Sequence, residues 1–186
     1  MPNLYKNPWF HIKKPAPQAV IRLFCFPYAG GSAQIFSDWC NSLPDSVEVI
    51  AVQYPGRGSR FVDPLIGTCK GMVEALIPNI LPALDKPFVF FGHSNGGLVS
   101  FELARALYQQ GVRQQIHHFI SAKRAIHLPQ TRKPMHAMGE QEFLKAVEEL
   151  GGTPPEILAQ KELMELFTPI LRSDFSLSET FAYEGE

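Results

Sequence analysis

The sequence predicts an α/β protein whose mostly parallel sheet is covered by helices on both faces, and three observations lead there. Short runs of almost uninterrupted apolar residues alternate with longer stretches whose apolar residues recur at helical spacing. Two of those runs, "VIRLFCFPYAGG" and "VEVIAVQYPGRG", end in loops built from proline and glycine. The runs are apolar throughout rather than at every second residue, which belongs to strands buried on both faces, as in parallel sheets.

Taken in order, the first twenty residues are rich in proline and read as an extended lead-in. "VIRLFCFPYAGG" is the first strand, and "AQIFSDWCNSL" has Ile35, Trp39 and Leu43 at helical spacing. "VEVIAVQYPGRG" is the second strand. "TCKGMVEALIPNILPAL" follows as a helix that Pro78 could kink. "PFVFFGHS" is the third strand, "GGLVSFELARALYQQG" a helix closed by Gly111, and "IHHFISAKRA" the fourth strand. After Pro129 the character changes. "EQEFLKAVEELGG", "PPEILAQ" and "KELMELFTPILRSDFSLSETFAY" read as consecutive helices with no strand between them, as a helical lid laid over one edge of a sheet would. The expectation is a single domain over residues 1–186, with a core at 21–128 and the helical lid region at 129–183.

Composition narrows the function classes. The chain has 186 residues, 45% hydrophobic and 19% charged, and a formal net charge of −1. Scattered basic residues give no electrostatic argument for nucleic acid or for an anionic membrane surface. The N-terminus lacks a signal-peptide pattern, and no window approaches the roughly 20 apolar residues of a membrane span. Cys25, Cys40 and Cys69 form no CxxC pair and read as reduced thiols of a cytoplasmic protein. The adjacent His117 and His118 would face opposite sides of a strand, so no metal site is expected.

One stretch carries chemistry. Gly92-His93-Ser94-Asn95-Gly96 fits Gly-x-Ser-x-Gly, with an apolar strand before it and a helix directly after. A serine at such a sharp turn sits in a strained backbone, and the positions two residues to either side must be small to avoid clashes. The helix N-terminus beneath it favours the negative charge of a tetrahedral intermediate. Read this way, Ser94 is a nucleophile, and the backbone N–H of Asn95 is one donor to the oxyanion. The loop "FPYAGGS" supplies the other at Ala29, where Gly30 and Gly31 allow close backbone approach. The alternative for both segments is an ordinary glycine-rich strand-to-helix turn.

The ordered set "FPYAGGSAQIF", "QYPGRGSR", "FGHSNGG", "SAKRA" and "LFTPILRSDFSLSETFAY" resembles the successive signatures of type II thioesterases. These are α/β-hydrolases that accompany nonribosomal peptide and polyketide synthases. The resemblance implies an α/β-hydrolase core and hydrolysis of acyl groups from the phosphopantetheine arm of acyl or peptidyl carrier proteins. It implies Ser94 as nucleophile, Ala29 and Asn95 as oxyanion donors, a lid at 139–183 shaping the acyl pocket, and no metal or organic cofactor. Asn95 stands where relatives often carry Met, a departure confined to the side chain.

A serine hydroxyl needs a histidine to take its proton and an acid to orient that histidine, in the order Ser, acid, His for this fold. After Ser94 come His117, His118, His127 and His136, the only aspartate is Asp174, and no histidine follows it. The resemblance implies that acid and histidine follow later strands, so the expectation is a chain that stops before the last strands and helix of the fold. Asp174 is then structural, pairing with Arg172 or capping a helix. His117 and His118 read as sheet packing far from the elbow; His127 and His136 lie nearer the lid entry, where a substitute base is the less favoured of their readings. His93 is expected to pack beside the turn and orient it. Arg57 and Arg60 would meet a phosphopantetheine phosphate, or else form a solvated loop with an internal salt bridge. Trp39, Phe36 and Phe88–Phe91 read as core. Two other functions stay open: a non-catalytic carrier-binding remnant and a general carboxylesterase.

Overall fold

A computed structural model describes residues 4–128, 130–131, 133–153 and 155–185, the Pro155 side chain apart. The expected boundary at Pro129 and the first proline of "PPEILAQ", Pro154, lie outside the described residues. Five strands form one sheet: β1 (Phe10–His11), β2 (Ile21–Phe26), β3 (Val47–Val52), β4 (Phe88–His93) and β5 (His117–Ser121), in the order β1-β3-β2-β4-β5. β2, β3, β4 and β5 run parallel, and β1 is antiparallel to β3.

The apolar runs form β2 to β4 because each must bury both faces. Phe24, Phe26, Ile50, Val52, Phe88 and Phe90 point to one face, where Met72, Leu76 and Ile80 of α2 (Cys69–Ile80) and Leu98, Leu103 and Leu107 of α3 (Asn95–Gln109) cover them. Phe24 meets Phe10, Phe88 and Phe90 edge to face at 6.0, 6.2 and 6.0 Å. Each such side chain contributes on the order of 2 kcal/mol by leaving water. Leu23, Cys25, Val49 and Ala51 point to the other face and pack on Ala33 and Phe36. At the strand ends away from the site, the register neighbours Arg22 and Glu48 form a buried ion pair at 3.0 Å.

Three readings need correction. The lead-in is not wholly extended loop, because Phe10 and His11 pair with Val52 and Ala51 as the short edge strand β1. "AQIFSDWCNSL" is not one helix but a 3-10 turn, Ala33–Phe36, followed by the single turn α1 (Trp39–Ser42). Phe36 therefore replaces Ile35 as the inward residue, and Ile35 is exposed. β5 is not buried on both faces: Phe119 and Ile120 remain 50% and 41% exposed.

Beyond β5 come α4 (Glu140–Glu149), α5 (Pro155–Leu158) and α6 (Lys161–Glu179), which share a separate apolar cluster of Met135, Phe143, Val147, Met164 and Leu171. α6 ends at Glu179 rather than continuing to Tyr183, and Thr180 caps it with its N–H on Ser176 O at 3.0 Å. α3 ends as expected at Gly111, whose φ of 70° suits the left-handed turn, with its N–H on Tyr108 O at 2.9 Å. Among the described residues no helix is long and apolar enough to cross a membrane.

Candidate active site

β4 delivers the chain to Ser94, which has φ 52° and ψ −113°, a conformation that side chains rarely adopt. The turn is fixed on two sides. Ser94 N–H donates to Ser121 O at the end of β5, at 2.8 Å, and Ser94 O accepts from Gly97 N–H at 3.0 Å. Its glycines are required by space: a Cβ at Gly92 would lie 2.3 Å from Gly96 O, and one at Gly96 would lie 2.0 Å from Phe26 O. The helix start is thus pressed against the end of β2 with no room for a methyl group.

Asn95 opens α3, and its backbone N–H donates to no acceptor among the described residues. The same is true of Ala29 N–H, in the loop leaving β2. That loop turns at Gly30, φ 78°, where a Cβ would meet Leu171 Cδ2 at 2.8 Å. Gly31 N–H closes the turn on Tyr28 O at 2.9 Å. His93 lies beside the elbow, with Nδ1 3.0 Å from Ser121 Oγ and its ring edge to face with Tyr28 at 5.6 Å.

Asp174 departs from its expected pairing. Its partner is Arg57, not Arg172: Arg57 Nη1 donates to Oδ2 at 2.5 Å and Nη2 to Oδ1 at 2.8 Å, with both side chains buried. Oδ2 also accepts Gly30 N–H at 2.6 Å, and Asp174 O accepts Asn95 Nδ2–H at 2.6 Å. Arg57 Nη1 lies 3.5 Å from Gly31 O, and Gln53 Nε2 donates to Arg57 O at 2.8 Å. Arg172 instead donates to His136 O and Met138 O. Arg57 is therefore neither a free phosphate contact nor part of a solvated loop. Arg60 pairs with Asp63 at 2.7 Å and lies over the Trp9 ring.

This network is what reading the sequence alone missed. A signal for it existed. Asp174 stands four residues after Ile170, three after Leu171 and three before Leu177, on the buried face of an amphipathic helix, where an acid needs a partner. The side chain of Asn95, where the departure from the family pattern lies, is one of the ties.

Ser94 and Asn95 border a cavity of about 650 Å³, between the loop after β5 and α6, with Leu98, His127, Phe175 and Phe181 among its walls. Of the substitute bases, His127 borders this cavity, whereas His136 is engaged elsewhere: its Nδ1 lies 2.7 Å from Glu179 Oε2. No hydrogen bond joins Ser94 to a histidine among the described residues. His118 has no hydrogen bond to Ser94 among the described residues; its Nε2 lies 2.9 Å from Ser100 Oγ, whose hydroxyl lies 3.2 Å from Gly97 O. Burial and the neighbouring His117 push its pKa down to about 4. No group of three or more His, Cys, Asp or Glu able to hold a metal occurs among the described residues.

Comparison with known proteins agrees with this architecture. The chain is 40% identical over 181 residues to a protein named linear gramicidin dehydrogenase LgrE of Brevibacillus parabrevis, covering 96% of this chain and 69% of that protein. It is 36% identical over 180 residues to the gramicidin S biosynthesis protein GrsT of Aneurinibacillus migulanus, covering 97% and 70%. The solved structure of the type II thioesterase BorB from the borrelidin biosynthetic cluster superposes with a TM-score of 0.85 at 29% identity, over 99% of this chain and 75% of that one. The thioesterase domain family matches residues 21–185, and the chain belongs to that family.

Proposed function

We propose that this chain hydrolyses acyl thioesters carried on the phosphopantetheine arm of acyl or peptidyl carrier proteins of nonribosomal peptide or polyketide synthesis, in the cytoplasm. Ser94 is the nucleophile in this reading, and the backbone N–H groups of Ala29 and Asn95 stabilise the oxyanion. The observation that carries it is the strained Ser94 on the wall of a large cavity of mixed apolar and polar lining, with the N–H groups of Asn95 beside it and of Ala29 in the loop after β2 both without an acceptor among the described residues. The Ser94 oxygen attacks the thioester carbon, the C–S bond breaks, and the hydroxyl proton leaves with the pantetheine thiol. Water then hydrolyses the acyl-enzyme. The segment 139–183 acts as the lid that shapes the acyl pocket, with residues 21–128 as the catalytic core. The name of LgrE raises reductive chemistry, but the loop after β2 reads "FPYAGGS" and lacks the Gly-x-Gly-x-x-Gly pattern of dinucleotide binding.

The acid and histidine of a triad are assigned to none of these residues, and the chain spans 69% and 70% of the length of LgrE and GrsT. The absence of a histidine hydrogen-bonded to Ser94 among the described residues favours, as a second reading, a carrier-binding protein without turnover. One experiment separates the two. Carrier proteins loaded with short and medium acyl groups are incubated with the wild-type chain and with Ser94→Ala, and the carrier mass is followed. Loss of the acyl group with the wild type alone supports hydrolysis. Carrier binding without deacylation supports the second reading. Equal deacylation by Ser94→Ala, or faster cleavage of simple esters than of acyl-carrier, overturns the assignment.

A further inference from the structure

We infer that Asp174 is a positioning residue for the oxyanion loop, and that through it α6 sets the loop and the acyl cavity together. The inference rests on the reading of Ser94 as nucleophile. The carboxylate has three partners. Two are the guanidinium nitrogens of Arg57, which clamp it in a bidentate fork. The third is Gly30 N–H, one residue after the proposed donor Ala29. Gly30 occupies a left-handed turn, φ 78°, that side chains rarely adopt, so the height of this N–H decides where the Ala29 N–H points. Arg57 meets the same loop again at Gly31 O. From the other side, Asn95 Nδ2–H anchors the first residue of α3, which carries the second donor, to Asp174 O. One residue of α6 thus touches both segments that supply oxyanion donors.

The same helix borders the cavity through Phe175, Ser178 and Glu179. An acyl chain seated against that flank of α6 is therefore read by the element that spaces the two donors. A buried ion pair adds little stability over an apolar pair of equal size, yet breaking it leaves an unpaired charge. Its value here is geometric: the fork is rigid and aims one carboxylate oxygen at a single backbone N–H.

Two measurements on the whole chain test this. Amide exchange at Ala29, Gly30 and Gly31 is compared between the wild type, Asp174→Asn and Arg57→Lys, each first checked for its melting transition. Deacylation of acyl-carrier by the same proteins is then resolved into kcat and KM. Asp174→Asn is expected to speed exchange at Gly30 at least about tenfold and to lower kcat roughly 10²-fold, the scale of losing one oxyanion donor, with KM little changed. Arg57→Lys, which keeps the charge and loses the fork, should fall between, and it replaces Asp174→Asn if that variant does not fold. A purely structural ion pair would lower the melting temperature and leave kcat per folded molecule intact, which overturns the inference, as does unchanged exchange at Gly30. A wild type that shows no deacylation removes the nucleophile reading, and this inference with it, a result distinct from either of those.

Discussion

Gly96→Ala probes the contact on which the whole site is built. A Cβ at this position would lie 2.0 Å from Phe26 O, 2.5 Å from Phe26 C and 2.8 Å from Pro27 O. All three are backbone atoms at the end of β2, so no flexible side chain can yield. Ordinary contact begins at 3.4 Å, and the first distance falls short of it by about 1.4 Å. The start of α3 must therefore withdraw from the β2 end by about an ångström. Ala29 lies three residues beyond Phe26 and Asn95 one residue before Gly96, so the withdrawal opens the gap between the two proposed oxyanion donors by a similar amount. A misplacement of this size costs on the order of 10²-fold in rate, and overpacking costs about 1–3 kcal/mol of stability. For a chain of this length that lowers Tm by roughly 2–12 °C. Gly152→Ala is the control: nothing lies within 4 Å of its added Cβ, and its φ lies outside the left-handed region. The assay is thermal unfolding of both variants beside the wild type, followed by acyl-carrier deacylation. Gly96→Ala melting within about 1 °C of Gly152→Ala, with the same turnover, would refute the packing argument.

Two more predictions concern titratable groups. The pKa of His118 lies near 4 in the fold against an ordinary value of 6.5, so the unfolded chain binds the proton first. Stability is then full above about pH 6.5 and declines as the pH falls towards 4, by about 2 kcal/mol once the ring's partial exposure is discounted. His118→Gln should flatten the urea midpoint between pH 6.5 and 4, and an unaltered slope would reject this assignment. Burial pushes the Cys69 thiol up to about 12 and the Cys25 thiol higher still, while Cys40 is partly exposed. A brief maleimide pulse should therefore label Cys40 in the folded protein and all three thiols in denaturant. Labelling of Cys25 as fast as Cys40 would contradict the core described here.

The parts of the fold legible in the sequence were those written in local periodicity. Phe88 to Phe91 read as a strand of the parallel sheet, and Gly92 and Gly96 around Ser94 as the small residues of a sharp turn into a helix. What escaped depended on partners distant along the chain. Phe10–His11 is a strand only because Val52 offers an open edge. The segment at 33–43 forms two turns that put Phe36 against Trp39 and Phe91, at ring distances of 5.1 and 5.9 Å, and leave Ile35 exposed, a choice that depends on Phe91 of the distant β4. Arg57 and Asp174 stand 117 residues apart, and a single sequence contains nothing that couples them. Ser94 was visible as a motif, whereas the tie between the loop after β2 and the start of α3 appeared only with α6 in place.

The double engagement of α6 bears on how such a protein can diverge. Residues on its cavity flank such as Phe175 and Ser178 touch neither Arg57 nor the loop after β2 and can be exchanged to suit acyl groups of another length, whereas Glu179 holds the N–H groups of Met135 and His136. Asp174 has no such freedom, because its carboxylate holds Gly30 N–H and a change there reaches the loop that carries the proposed donor Ala29. Substrate range is thus free to drift along one flank of a helix whose adjoining flank is pinned. A mutagenesis library aimed at new acyl preferences gains most by varying the first set of positions and leaving the second untouched.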